Sequence, residues 1–147
     1  MSMETIEIIR DKSELDGTGY MELSLGKYEG KHWEDSSLFF DEEVFGYIEN
    51  VFKKHVPNYD HYAMNDADES SWQNIIRDLT ALSNLLESAK EFNEIVDDVG
   101  FIFGGTKDYF ENNFGRCRVE LLKLVNELII WSKDNIKKYG FIAILGI

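Results

Sequence analysis

Apolar residues recur at three- and four-residue steps along two long stretches of the chain. Trp72, Ile75, Ile76, Leu79, Leu82, Leu86, Ala89, Phe92, Ile95 and Val96 fall on one face of a helix expected to start at Ser70 or Ser71 and run to Asp97. At about 1.5 Å per residue, such a helix crosses most of a small domain. Leu121, Leu122, Leu124, Val125, Leu128 and Ile129 mark another helical region over residues 107–139, with a break expected near Gly115 and a terminator at Gly140. A shorter helix is expected from Asp41, whose side chain can cap free backbone N–H groups, while Glu42 and Glu43 favour the positive end of the helix dipole. Val44, Phe45, Ile48, Val51 and Phe52 form its apolar face, Lys53, Lys54 and His55 suit its last turn, and Pro57 prevents continuation.

Elsewhere the period is two. Residues 5–10 are rich in β-branched side chains and predict a strand. Turn residues Asp16-Gly17-Thr18-Gly19 precede the alternating run Tyr20-Met21-Glu22-Leu23-Ser24-Leu25, and residues 37–40 predict a short further strand. Residues 58–69 are polar and aromatic and read as an ordered loop; residues 99–103 read as a buried strand or turn. Phe141-Ile142-Ala143-Ile144-Leu145 predicts a last strand able to join the N-terminal sheet. The class is α+β: a small antiparallel sheet packed with two or three long helices. No repeat or linker divides residues 1–147, so a single globular domain is expected.

Composition adds the first functional information. The chain has 28 Asp plus Glu against 15 Lys plus Arg, a net charge of −13, yet 44% of its residues are hydrophobic. A chain this apolar folds rather than staying disordered. Its acidity disfavours direct binding to nucleic acid or to anionic membranes, both of which attract basic surfaces. The excess is uneven, with −11 in residues 1–73 and −2 in residues 74–147. Charge that only served solubility need not be concentrated in one half, so an acidic face is expected there. One cysteine, no signal-peptide-like apolar stretch and no membrane-length apolar run lead to the expectation of a cytoplasmic protein.

No catalytic or metal motif emerges. His32, His55 and His61 lack the spacing of a helical zinc pair, although His55 and His61 lie near Tyr59, Asp60 and Asp66 in the sequence. Asp66, Asp68 and Ser70 copy the opening of a calcium loop, but Ser71 replaces its glycine and Arg77 its bidentate glutamate. Gly104-Gly105-Thr106-Lys107 lacks the spacing of a phosphate loop. Cys117 is flanked by Arg116 and Arg118, cations able to activate a thiol, but its helical setting suits a buried structural thiol better. No enzyme activity, metal or cofactor is expected.

A run of acids and aromatics remains: Trp33, Glu34, Asp35, Asp41, Glu42, Glu43, Tyr59, Asp60, Tyr62, Asp66, Asp68 and Glu69. Interfaces favour aromatic anchors, and surrounding carboxylates complement a basic partner, so these twelve are the expected partner-binding residues. The competing account makes Trp33 and Trp72 core residues and the acids a solvated face.

Three segments carry a resemblance. They are Trp33-Glu34-Asp35 through Phe39-Phe40-Asp41-Glu42-Glu43-Val44-Phe45, Lys54-His55-Val56-Pro57-Asn58-Tyr59-Asp60-His61-Tyr62, and Ile144-Leu145-Gly146-Ile147. Together they resemble bacterial immunity proteins that accompany polymorphic toxins, including those of contact-dependent growth inhibition. The resemblance implies a cytosolic protein that neutralises one cognate toxin domain, often a basic nuclease, with carboxylates standing where phosphates would sit. Two other classes stay open. One is a small enzyme using His55, His61 and Asp66; the other is an acidic nucleic-acid mimic that inhibits an unrelated protein.

Overall fold

The computed structural model describes residues 5–147. It is a mixed α+β arrangement, about half helical, built on a four-stranded antiparallel sheet. The strands are β1 (Tyr20–Leu25), β2 (Leu38–Asp41), β3 (Met64–Asp68) and β4 (Phe141–Leu145), in the order β2-β1-β4-β3. The C-terminal strand therefore joins the N-terminal sheet as expected, and it does so at the centre: Leu23 lies opposite Ile144, and Ala67 opposite Ile142.

The helices are α1 (Glu42–Gly46), α2 (Glu49–His55), α3 (Glu69–Ser88), α4 (Thr106–Asn112) and α5 (Phe114–Tyr139). α3 packs chiefly on α5. Trp72, Ile75, Leu79, Leu82 and Leu86 of α3 and Leu121, Leu124, Val125 and Leu128 of α5 enter one buried cluster with Met21, Leu23, Ile142 and Ile144 from one sheet face. This is the face-matching that the three-to-four periodicity anticipated. Gly140, at φ 75°, stops α5, because only a residue without Cβ adopts this left-handed cap cheaply.

Several boundaries differ from expectation, each for a tertiary reason. The helix expected from Asp41 to the Pro57 stop is two. Tyr47 and Ile48 bond back three residues instead of four, and the Tyr47 carbonyl accepts the Gly100 N–H at 2.8 Å. That approach needs glycine at position 100, where a Cβ would meet the Gly46 carbonyl oxygen. The helix expected to reach residue 97 ends at Ser88. Beyond it, Glu94 Oε1 accepts the N–H groups of Lys90 and Glu91 and starts a short turn. That turn carries Phe92 against Phe101, Phe110 and Phe114.

Part of the expected 58–69 loop is strand β3. Its burial alternates, with Asn65 and Ala67 inward and Asp66 and Asp68 outward, and β4 supplies its backbone partners. Residues 5–10 form no strand. Ile9 makes one bridge to Phe39, while the Ile6 N–H donates to Glu120 on α5 and leads the chain away. Residues 99–103 form neither the strand nor the turn but irregular backbone between the turns at 95–98 and 104–105, and the helical break falls at Asn113.

Candidate partner-binding surface

Asn65 organises the loop between α2 and β3 from beneath. Its Oδ1 accepts the Asp60 N–H at 2.9 Å, and its Nδ2 donates to the carbonyls of Asp60, Ala63 and Ile144. Asp60 in turn accepts the Tyr62 N–H at 2.9 Å. Gly146 seals the loop by donating to the Ala63 carbonyl, so closely that a Cβ would lie 2.1 Å from the His61 oxygen.

The held loop places His61 between two helix starts. Its Nδ1 lies 2.5 Å from Glu49 Oε2 and its Nε2 lies 2.5 Å from Glu42 Oε2. Tyr59 also donates to Glu49, at 2.8 Å, and Glu49 is only 1% exposed. Both carboxylates sit in first helical turns, where free N–H groups favour negative charge. A ring with a carboxylate at each nitrogen donates twice only as imidazolium. Burial alone would lower the His61 pKa, but the hydrogen bonds and charges of Glu42 and Glu49 outweigh it, and the pKa is raised. Burial first, and then the Glu49 charge, push the Tyr59 hydroxyl well above the usual tyrosine range. The cluster favours the protonated ring and ties the loop to α1 and α2.

His55 and Asp66 do not join it. His55 Nε2 lies 2.6 Å from Asp78 on α3, and Asp66 accepts the Tyr28 N–H. The three residues of the enzyme alternative thus have separate partners. Burial pushes the Cys117 thiol up despite the neighbouring Arg116 charge, as suits a structural thiol. Among the described residues, no group of three or more His, Cys, Asp or Glu is arranged to hold a metal ion.

The expected partner-binding residues divide between two ends of the sheet and its outer face. Asp41, Glu42, Glu43, Asp60 and Tyr62 gather at the end where β2 stops and β3 begins, because Tyr20 pairs with Asp41 and Met64 with Leu145. Tyr59 lies behind them, half-buried on Glu49. Asp68 and Glu69 lie at the opposite end of β3, where Asp68 caps α3 by accepting the Ser71 N–H. Trp33, Glu34 and Asp35 belong to the segment covering the outer sheet face. Trp33 packs on Phe39 and Tyr20, and Asp35 pairs with Lys12 at 3.0 Å. Asp66 pins the same segment through Tyr28. Trp72 is wholly buried and donates to the Ile142 carbonyl, as the core account had it.

Sequence reasoning missed two buried carboxylates and three apolar side chains. Glu22, 1% exposed, accepts the N–H groups of Trp33 and Glu34 and the Ser37 hydroxyl, and so anchors the covering segment. Its place on the polar side of an alternating strand signalled exposure. Glu49 stands seven residues after Glu42, a same-face spacing that only hinted at their shared partner. Ile102, Phe103 and Ile147 come from residues 74–147, the half with a charge of only −2. The Phe103 ring lies 5.9 Å from that of His61, Ile102 adjoins Gly46 beside it, and the Ile147 N–H donates to the His61 carbonyl. No known protein family, curated protein or solved structure matches the chain.

Proposed function

We propose that this chain is an immunity-type inhibitor that binds a basic, nuclease-like toxin domain in the cytoplasm and covers its active site. The observation that carries this reading is uncompensated surface charge. Among the described residues, Lys and Arg side chains pair with Asp35, Asp78 and Glu120 only. The other exposed carboxylates have no Lys or Arg ion pair there; Asp41, Asp60, Asp66 and Asp68 accept backbone N–H groups, which leave their charge uncompensated and open to a cationic partner. No helix among those residues is long and apolar enough to cross a membrane.

The same charge also suits a mimic of nucleic acid acting on some other protein. The reading frame immediately upstream separates the two readings. Its product, purified and mixed with this chain, should form an equimolar complex and lose toxicity when the two are co-expressed. Absence of both binding and protection sinks the immunity reading.

A further inference from the structure

Six large apolar side chains are exposed among the described residues, and three of them, Tyr62, Ile102 and Ile147, border the His61 cluster. Tyr62 is the most exposed at 71%, its ring edge-on to His61 at 4.8 Å. Ile102 and Ile147 are 40% and 41% exposed, and Phe103 is half-buried with its ring against His61. Exposed Asp41 and Asp60 and half-buried Glu42 and Glu43 stand at the same end of the sheet. The patch is also held in place before any partner arrives: Asp60 fixes the Tyr62 N–H, two carboxylates grip His61, and residues 146 and 147 bond back to the loop.

We infer that this end of the sheet, centred on Tyr62, Ile102, Phe103 and Ile147, is the docking surface for a protein whose Arg and Lys side chains surround an apolar depression. The inference rests on the immunity reading and assigns it a place. Binding energy concentrates in aromatic anchors that are packed around by neighbours and need little ordering. Tyr62 meets both conditions, and the carboxylates beside it complement cations at the rim of the depression. The other exposed apolar residues do not compete. Val119, Ile130 and Tyr139 are spread along α5, where exposed Arg116, Lys123, Lys133, Lys137 and Lys138 outnumber Asp134, the wrong sign for a basic partner. Trp33 has already committed its ring to Phe39 and Tyr20. The surface therefore draws on residues 74–147 as well, outside the twelve residues the acidic and aromatic run had singled out.

The test uses the full chain and, as probe, the purified protein encoded immediately upstream, with affinity measured by surface plasmon resonance. Each variant is first checked for an unchanged circular dichroism spectrum. Tyr62→Ala should weaken binding at least about tenfold, as expected for an anchor, while Glu34→Lys on the outer face should change it less than about threefold. Ile147→Arg is the second variant should Tyr62→Ala misfold, and it too should weaken binding about tenfold or more. If the parent binds while both variants bind within about threefold of it, the surface is wrong and the immunity reading survives. If the parent does not bind, the immunity reading falls and takes this occupant with it. Sedimentation showing a dimer of the chain alone, lost in Tyr62→Ala, would assign the face to a second copy and overturn the proposal.

Discussion

Glu22 is a buried carboxylate in a chain that already carries a net charge of −13, and its three acceptor contacts account for its position. Glu22→Ala would leave the N–H groups of Trp33 and Glu34 and the Ser37 hydroxyl without their acceptor. Unsatisfied buried donors are costly, so urea unfolding should show a loss of about 2–4 kcal/mol. A loss under about 1 kcal/mol would mean that water replaces the carboxylate. His61 should make stability fall with alkaline pH. Its folded pKa is raised above the unfolded value of about 6.5, so its contribution is complete below that pH and is lost as pH rises through the folded value. His61→Gln should flatten the alkaline limb of a stability profile followed by thermal midpoint. A parent profile without that decline would disprove the linkage. Asp78 works with the opposite sign. Burial raises its pKa, but His55 and Lys54 prevail and lower it, so its contribution is lost as pH falls through the folded value.

At the scale of elements, α3 begins where a single side chain lets it begin. Asp68 is both the last residue of β3 and the cap of α3, at 2.9 Å from the Ser71 N–H. Asp68→Ala should cost about 1 kcal/mol, measured by denaturant midpoint at constant slope. A neutral result would mean that water caps the helix equally well. The Asp41 cap and the Gly140 stop were legible because such signals are local. β3 was not. Met64-Asn65-Asp66-Ala67-Asp68 has poor intrinsic strand preference, and β4, some eighty residues away, supplies its hydrogen bonds.

At the scale of the molecule, the uneven charge should act on encounter more than on the finished complex. The on-rate for a basic partner should fall steeply between low and physiological salt, while the off-rate changes less. Stopped-flow mixing with the upstream gene's product would show this, and an on-rate indifferent to salt would remove the steering argument. The charge pattern predicted an acidic face in the first half. The sheet divides that face: β2 and β3 lie at opposite edges, and the acids at the two ends of β3 point to different surroundings.

The sequence by itself determined the α+β class, the strands at Tyr20–Leu25 and Phe141–Leu145, and the buried faces of the two long helices. Those features depend on periodicity and near-neighbour chemistry, which a linear pattern carries. Only the tertiary structure decided where α3 stops, that the helix after Asp41 breaks at Tyr47 and Ile48, and that His61 sits between Glu42 and Glu49. It also brought Ile102, Phe103 and Ile147 beside Tyr62. Each of these depends on a partner distant in the chain, and a carboxylate such as Glu22 reads the same in sequence whether water or three buried donors surround it.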